Sequence, residues 1–411
     1  MRREARATSD KRRVTLSGIP HPASCVLYPK LAVQATRPPA IKVRMRIALD
    51  ISSAARPEAT GVAMYIRRLV AAFAHVGTEH DFTLVRRASR LKNILHKPTL
   101  PGPNFHHKLF CERLHPFFAR SLGVFHGLDA RLPGAWLRAP TVVTIHDVFS
   151  VLQSREFATA EFREMKTRRY RELVRRADRI ICVSDAVRRD VLAALQPDAA
   201  KLRVVHEAGG EGFAPRPPEE VKAVRAKYGL DKPYFVFVGS VNKRKNVPAM
   251  VAAFAVARAQ AKSDMLFAIA GRIGFGGEEI RAAVAKSACA DAVKLLGYVP
   301  DEDVPALYTG AHALLFATLY EGFGIPAVEA FACGCPVIGA TTGSLPEIIG
   351  DAGLLADPAS VDSIAAQIVK LMQDDALRSA LIAKGLRRAQ DFSWDKAARE
   401  CLAIYNELAG R

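Results

Sequence analysis

The chain alternates short, uniformly apolar runs with longer stretches in which apolar residues recur every three or four positions. Runs of the first type are typical of strands in a buried parallel sheet, and stretches of the second type are typical of amphipathic helices. From residue 45 to 211 the strand-like runs are RIALDI, FTLVRR, GVFHGL, PTVVTIHD and DRIICVSD. Helical stretches such as GVAMYIRRLVAAFAHV and EFREMKTRRYRELVRRA separate them. This alternation predicts a parallel sheet with helices on both faces.

Residues 207–220, EAGGEGFAPRPPEE, interrupt the alternation with Gly and Pro, so we expect a linker there. A second series follows, with the strand-like runs YFVFVGS, MLFAIAG, VKLLGYV, HALLFAT, CPVIGAT and AGLLADP. We therefore predict an α/β fold of two doubly wound, Rossmann-like domains, residues 45–211 and 212–392, that face a central cleft. The C-terminal helix, residues 393–411, is expected to return to the first domain. Ligands of such sheets bind beyond the carboxyl ends of the strands, so those positions are the candidate sites.

The first 44 residues have no sustained period and mix Pro, Ser, Ala and Arg. This composition offers little apolar surface to bury, so we predict a disordered basic extension. The first strand-like run begins at Met45. Two interpretations stay open: either the natural protein starts at Met45, or it carries a basic tail.

The formal net charge of +18 is concentrated in the first half of the chain. Residues 1–44 carry +8, residues 45–211 carry +10, and residues 212–411 are neutral. Such a basic half fits nucleic acid, an anionic membrane surface or a phosphorylated substrate. The sequence contains no apolar run long enough to span a membrane and no secretory signal, so a cytoplasmic protein is expected. Its seven scattered cysteines are typical of reduced thiols.

The stretch EGFGIPAVEA, residues 321–330, follows the strand-like run HALLFAT. Gly322 and Gly324 permit close approach of the backbone, and Pro326 suits the first turn of a helix. The N-terminus of that helix favours phosphate, whereas Glu321 and Glu329 would repel it. These carboxylates therefore fit a ligand that has hydroxyl donors, such as a sugar or a ribose. Taken alone, the stretch could equally be a plain helix start.

The stretch VFVGSVNKRKN, residues 236–246, places Lys243, Arg244 and Lys245 directly after another strand. Three cations there could form a solvated surface, but they can also hold a diphosphate through charge-assisted hydrogen bonds. A site for a diphosphate together with a site for hydroxyls describes a nucleotide sugar.

From about Met45 to its end the chain resembles the retaining glycosyltransferases of the GT-B fold that are called group 1 or family 4. The resemblance rests on the E-x7-E motif (Glu321, Glu329), and on VGSVNKRKN, AGRIGFG, LGYVPDEDVPALYTGA, TGVAMYIRRL, TIHD and FSWDKAA. The second domain matches almost throughout. The first domain matches only at short islands, as expected if it recognises a variable acceptor.

The resemblance implies a site for the nucleotide-sugar donor. It implies that Lys245 and Arg244 bind the diphosphate, that Glu329 accepts from the ribose, and that Glu321 accepts from the transferred sugar. His146 would lie near that sugar at the reaction centre, so the implied catalytic residues are His146, Glu321, Lys245 and Arg244. The further residues implied to bind the donor are Gly61, Ser240, Gly271, Tyr298, Val299, Gly322, Phe323, Gly324 and Ile325.

Two positions depart from the family pattern. Many members have arginine where this chain has Ser240, which places more of the diphosphate charge on Arg244 and Lys245. The segment that often reads VVPNG is here VVHEAGGEG, which leaves the roles of His206 and Glu207 open. Asp301–Asp303 superficially offers a D-x-D metal motif, but acidic residues also favour a helix N-terminus. We expect no metal and no cofactor, because Lys245, Arg244 and the helix amides already supply positive charge.

The resemblance implies transfer of a hexosyl group, with mannosyl as the first choice, to an acceptor hydroxyl with retention of configuration. A lipid-linked or polysaccharide glycan is the expected acceptor, with no nucleic-acid partner. A nucleotide-dependent oxidoreductase is an alternative, but ALDISSAARPEATG after the first strand lacks the G-x-G-x-x-G fingerprint. A basic nucleic-acid-binding protein is another, yet residues 45–211 contain no known binding module.

Residues 155–179 carry nine basic and five acidic residues in a helical pattern. One interpretation is a solvated helix with ion pairs such as Glu164 with Arg168 and Glu172 with Arg176. The other is a surface that docks on anionic lipid, which would make the protein peripheral at the inner face of the membrane.

Overall fold

The apolar runs of the sequence are buried parallel strands in the structure, a computed structural model of the chain. It describes residues 44–54, 61–87, 99–110, 122–134, 137–152, 159–274 and 277–410. The predicted disordered extension, apart from Arg44, lies outside the described residues.

Seven parallel strands of the described residues form the first sheet. They are β1 (Arg46–Asp50), β2 (Asp81–Arg87), β3 (Phe105–Phe110), β4 (Val124–Gly127), β5 (Thr141–Ile145), β6 (Arg179–Cys182) and β7 (Leu202–Val204). Their order across the sheet is β3-β2-β1-β4-β5-β6-β7, and Ile47 of β1 pairs with Phe82 of β2 and Val124 of β4. The chain reverses its direction of winding between β1 and β4, which opens a crevice at their carboxyl ends.

Four helices of the described residues accompany this sheet: α1 (Gly61–Val76), α2 (Phe149–Leu152), α3 (Ala160–Arg176) and α4 (Asp185–Leu195). A 3₁₀ turn, Ala199–Lys201, precedes β7. The side chains of Thr159 and Ser184 cap α3 and α4 by accepting from backbone N–H groups of the first turn.

Six parallel strands of the described residues form the second sheet. They are β8 (Tyr234–Val238), β9 (Leu266–Ala270), β10 (Val293–Gly297), β11 (Ala313–Phe316), β12 (Val337–Ala340) and β13 (Leu354–Ala356). The order is β10-β9-β8-β11-β12-β13, so the second crevice opens between β8 and β11. The remaining helices are α5 (Pro218–Lys227), α6 (Val247–Gln260), α7 (Gly277–Lys286), α8 (Val304–Thr309), α9 (Ile325–Ala332), α10 (Leu345–Ile349), α11 (Val361–Gln373), α12 (Asp375–Ala389) and α13 (Trp394–Ala409), with 3₁₀ turns at Lys243–Lys245 and Ala290–Ala292.

The predicted α/β fold with two doubly wound sheets is confirmed. All eleven predicted strand-like runs contain strands, and helix α1 has the bounds of the predicted helical stretch. Strands β3 and β7 were not predicted. The sequence of β3, FHHKLF, mixes three polar residues into the run, and β7, LRV, has an arginine at its centre, so neither shows a uniformly apolar run.

Each sheet is the centre of its own apolar core. Residues 44–411 nevertheless form one compact unit, because Phe323, Val328 and Ile348 of the second domain pack into the core of the first. The terminal helix α13 packs against α1, where Trp394, Cys401 and Tyr405 are buried in the core of the first domain.

Candidate active site

A cleft of about 490 Å³ lies where the carboxyl ends of the two sets of strands face each other. Both domains line it. The sequence-predicted residues along its wall are Gly61, His146, Ser240, Arg244, Lys245, Tyr298, Glu321, Gly322, Phe323, Gly324, Ile325 and Glu329. The structure thus brings together twelve of the predicted site residues from segments that are far apart in sequence.

Gly271 and Val299 are not among the residues that line the cleft, and their role in donor binding stays a prediction. Gly271 has φ +151°, and a Cβ there would lie 1.8 Å from the Gly239 carbonyl oxygen. Close packing of the two strand ends therefore requires this glycine. The side chain of Val299 is buried in the core of the second domain.

Lys245 and Glu321 form a buried ion pair on the wall contributed by the second domain. Lys245 ends the 3₁₀ turn after β8, Glu321 lies in the loop after β11, and Nζ donates to Oε1 over 2.6 Å. Burial lowers the pKa of Lys245, the nearby Arg244 charge lowers it further, and the Glu321 carboxylate opposes both. The loops after two adjacent strands thus place a cation and a carboxylate together inside the cleft.

Arg244 reaches from the same turn toward the first domain. Its guanidinium donates to the carbonyl of Tyr320 over 3.2 Å and lies 3.9 Å from a carboxylate oxygen of Asp147. The group also stacks over the Phe149 ring, 5.4 Å from the centroid. Lys243, the third cation of the run, instead pairs with Glu279 over 2.9 Å and does not line the cleft.

Glu329 lies on α9 and pairs across the cleft with Arg68 of α1. The Arg68 Nη1 to Glu329 Oε1 distance is 3.2 Å, and both side chains are mostly buried. Burial raises the pKa of Glu329 to about 7, although Arg68 and the Gly210 N–H both stabilise the carboxylate. The cation that stabilises this carboxylate therefore comes from the opposite domain.

The loop between these two glutamates touches the first domain. A Cβ on Gly322 would lie 1.9 Å from the carbonyl oxygen of His146, so no larger residue fits without a shift. The Ser184 hydroxyl donates to the Gly322 carbonyl over 2.6 Å. Helix α9 then begins at Ile325, with Pro326 in its first turn.

His146 follows β5, and both of its ring nitrogens have hydrogen-bond partners. One partner lies in the first domain and the other in the segment that joins the two domains. Nδ1 lies 3.0 Å from Glu207 Oε1 and Nε2 lies 2.9 Å from the Leu128 carbonyl oxygen. Burial lowers the pKa of an imidazole, but the Glu207 carboxylate and the Leu128 carbonyl outweigh burial, so the pKa of His146 is raised. The Leu128 carbonyl can only accept, so Nε2 carries a proton, and the raised pKa favours a second proton on Nδ1 beside the Glu207 carboxylate.

The acidic run at Asp301–Asp303 is divided between two environments. Asp303 precedes α8 and accepts from Lys227 Nζ and the Tyr228 hydroxyl, each over 2.6 Å. Asp301 lines the cleft. Within the residues that the structure describes, no three His, Cys, Asp or Glu side chains are grouped so that they could hold a metal ion.

Comparison with known proteins gives the family. The description "Glycosyl transferases group 1" matches residues 220–388, and "Glycosyltransferase Family 4" matches residues 59–208. The "O-antigen chain mannosyltransferase B" of Escherichia coli is 32% identical over 286 residues, which cover 69% of this chain and 74% of that protein. The chain belongs to the group 1 glycosyltransferases.

Other relatives and solved structures agree with this family. The "Serotype-specific mannosyltransferase WbdA" of Escherichia coli is 28% identical over 65% of this chain, and this match spans 33% of WbdA. A sucrose-phosphate synthase from Thermosynechococcus elongatus superposes with a TM-score of 0.69 at 21% identity, covering 89% of this chain and 99% of that one. Anabaena Alr3699/HepE in complex with UDP superposes with a TM-score of 0.70 at 18% identity, covering 88% of this chain and 100% of that one.

The prediction of a nucleotide-sugar glycosyltransferase with the GT-B fold is therefore confirmed. The family of this chain is therefore neither of the two alternatives, an oxidoreductase or a nucleic-acid-binding protein. Among the residues described for this glycosyltransferase, no helix is both long and apolar enough to cross a membrane.

Four charged residues that line this glycosyltransferase site were not among the predicted site residues: Arg68, Asp147, Glu207 and Asp301. Arg68 lies seven positions after Gly61 on α1, and Gly61, Met64 and Arg68 all line the cleft. The helical spacing from Gly61 could have identified Arg68, because residues i, i+3 and i+7 share a face. Glu207 lines the cleft as well, but the sequence drew attention to it only because its segment departs from the family pattern.

Proposed function

We propose that this glycosyltransferase moves a hexosyl group, mannosyl as the first choice, from a nucleoside-diphosphate sugar to a glycan hydroxyl with retention. One observation carries the proposal. Lys245 and Arg244 enter the cleft beside Glu321, and Glu329 lies in the same cleft, so cations for a diphosphate and acceptors for hydroxyls occur together. That combination matches the chemistry of a nucleotide sugar.

The two cations support a role in expelling the diphosphate. As the bond between the anomeric carbon and the phosphate oxygen breaks, negative charge grows on the diphosphate, and Lys245 and Arg244 would stabilise it. In the retaining reaction the acceptor oxygen attacks the same face, and its proton passes to the departing phosphate oxygen. The new glycosidic bond thus replaces the broken bond without inversion.

The remaining residues would position the donor. Glu329 would accept from the ribose hydroxyls and Glu321 from the sugar hydroxyls, as ionised carboxylates are strong acceptors. Glu207 and Leu128 hold both ring nitrogens of His146, which would lie beside the sugar and, when protonated, add positive charge there. The contact between Gly322 and the backbone of His146 would keep the two walls in register.

The sugar and the acceptor are inferred from relatives. The two Escherichia coli proteins above are named mannosyltransferases, and one is named for the O-antigen chain. Structures of Alr3699/HepE contain UDP or UDP-glucose. These names support a nucleotide-sugar donor and a polysaccharide or lipid-linked glycan as the acceptor.

We further propose that transfer requires no metal ion. Lys245 and Arg244 already place positive charge along the cleft, and the raised pKa of His146 favours a further charge there. Asp303, the last residue of the D-x-D run, is engaged by Lys227 and Tyr228.

Titration calorimetry with GDP, UDP and NAD, followed by transfer assays with the matching nucleotide sugars, tests this function. We expect a nucleoside diphosphate to bind and NAD not to bind. We expect transfer from GDP-mannose that persists in EDTA, with retained configuration at the anomeric carbon by NMR. Inactivation by EDTA that manganese reverses would contradict the metal-free reaction.

Lys243 offers a matched control for Lys245. Lys245→Ala removes a charge-assisted hydrogen bond in the cleft and should weaken diphosphate binding by about 10- to 100-fold. Lys243→Ala removes the same charge from the same turn, but Lys243 pairs with Glu279 at the surface, so binding should stay within about twofold. Equal losses in both variants would contradict the assigned diphosphate site.

A further inference from the structure

Arg68 is the cationic partner that the first domain supplies to the second across the cleft. It lies on α1 and its guanidinium is 3.2 Å from Glu329, the carboxylate proposed to receive the ribose hydroxyls. The side chains of Arg68 and Glu329 are 14% and 10% exposed, so solvent screens this pair little. An ion pair in this position bears directly on donor binding.

The surroundings of Glu329 explain why it needs a cation. The Gly210 N–H of the interdomain segment donates to it, and Arg68 pairs with it from α1. The Asp301 carboxylate, which precedes α8, repels it, while the Tyr308 hydroxyl of α8 and the Cys333 thiol after α9 lie near it. Arg68 is thus the cation that offsets both burial and the repulsion from Asp301.

We infer that Arg68 is a donor-site positioning residue, which holds Glu329 as an ionised acceptor for the ribose and so makes donor binding depend on contact between the domains. This inference rests on the proposed function, in which Glu329 receives the ribose hydroxyls. An ionised carboxylate accepts from two hydroxyls at once, whereas a protonated one uses an oxygen as a donor. The nucleotide would therefore bind most tightly when α1 is apposed to α9.

The inference predicts how donor affinity depends on pH. The pKa of Glu329 is about 7 with Arg68 present, and loss of Arg68 removes a stabiliser of the carboxylate, so the pKa would rise further. At pH 7 a larger fraction of Glu329 would then be protonated. Raising the pH to 9 would restore part of the ionised form and with it part of the affinity.

The test is calorimetric titration of the full chain with whichever of GDP and UDP the wild type binds, from pH 6 to 9. We compare Arg68→Gln and Arg68→Lys with Arg67→Gln. Arg67 is an exposed neighbour on α1 that contacts the Ala54 carbonyl and does not line the cleft, so its substitution changes the charge equally. Melting temperatures of all variants verify that each is folded.

We expect Arg68→Gln to weaken nucleotide binding at pH 7 by at least about tenfold, with a smaller loss at pH 9. Arg68→Lys should retain most of the affinity, and Arg67→Gln should behave as the wild type. Unchanged or tighter binding by Arg68→Gln would overturn the inference, because Arg68 would then be irrelevant to the ribose or would compete with it. An equal loss of affinity at every pH would also overturn the inference, since it would mean that Arg68 has only a structural role.

The inference and the proposed function fail in different ways. If the wild type binds no nucleoside diphosphate, the proposed function is wrong and this inference falls with it. If the wild type binds a nucleoside diphosphate and Arg68→Gln does not change that affinity, only the role of Arg68 is wrong.

Discussion

At the scale of single residues, two ion pairs and one histidine–carboxylate pair organise the cleft. They are Lys245 with Glu321, Arg68 with Glu329, and His146 with Glu207. Breaking either of the two buried ion pairs leaves one charge uncompensated, which costs about 3–5 kcal/mol. Substitutions in these pairs therefore need a stability measurement beside every activity measurement.

The His146 pair gives a prediction about stability and pH. The folded-state pKa of His146 lies above its unfolded value, so its contribution is fully present below about pH 6.5 and is lost as pH rises through the folded pKa. Glu207→Gln removes the carboxylate that raises this pKa. We expect it to destabilise the protein by about 1.5–3 kcal/mol at pH 6 and by less at pH 9.

Urea unfolding curves at pH 6 to 9 measure this difference. Glu211→Gln is the control, because Glu211 is exposed on the same interdomain segment and makes the same chemical change. A deficit of Glu207→Gln that grows toward pH 9 would show that His146 is not held as an imidazolium.

At the scale of elements, the loop from Glu321 to Gly324 joins the two domains as well as carrying a site residue. Gly322 is in backbone contact with His146, and Ser184 of the first domain donates to its carbonyl. The geometry of the cleft thus depends on a backbone contact that leaves no space for a side chain at Gly322.

We predict that Gly322→Ala lowers turnover by about a hundredfold, because the methyl group would push the two walls apart by a distance that matters for alignment. Melting temperature should fall less than in a core variant, since the cleft can open to relieve the clash. Gly410→Ala serves as the control, because its Cβ would make an ordinary contact of 3.5 Å with Asn406. Wild-type turnover in Gly322→Ala would mean that this contact is not needed for transfer.

The sequence was most informative where one local pattern determines one element. Uniform apolar runs predicted eleven strands, because central parallel strands are buried on both faces. Strands β3 and β7 were not predicted, because polar residues interrupt their apolar runs.

Within the site, residues that follow strands were predictable, because the carboxyl ends of parallel strands meet. Arg68 and Glu207 were not predicted, because their importance comes from Glu329 and His146 in other segments. For Gly271, packing against Gly239 already requires a glycine, so the residue type alone does not indicate a ligand there.

At the scale of the whole molecule, the charge is unevenly divided. Residues 45–211 carry +10 and residues 212–411 are neutral. Helix α3 contributes the exposed cations Arg168, Arg169, Arg171 and Arg175, and the predicted ion pairs of Glu164 with Arg168 and Glu172 with Arg176 are confirmed. The apolar side chains of Phe162 and Met165 are exposed on the same helix.

We propose that α3 docks on an anionic lipid surface, because each cation near such a surface adds about 1 kcal/mol of attraction. Wild-type protein should co-sediment with phosphatidylserine vesicles at low salt and release at high salt. The triple variant Arg168→Glu, Arg169→Glu, Arg171→Glu should lose this binding. An equal charge change on exposed cations of the second domain, Lys222→Glu, Arg281→Glu, Lys286→Glu, should retain most of it.

Equal vesicle binding by the two triple variants would mean that net charge, and not α3, attracts the membrane. No binding by the wild type even at low salt would overturn the docking proposal.

Helix α13 determines when the core of the first domain can be completed during synthesis. The first domain is translated before the second, but Trp394, Cys401 and Tyr405 of its core come from α13, which follows the second domain. Tyr405 hydrogen-bonds His126 over 2.5 Å. A ribosome that has produced residues 45–211 therefore holds a nascent domain whose α1 still exposes the apolar face that α13 later covers. Until α13 has been synthesised, that face is open to chaperones and to other nascent chains.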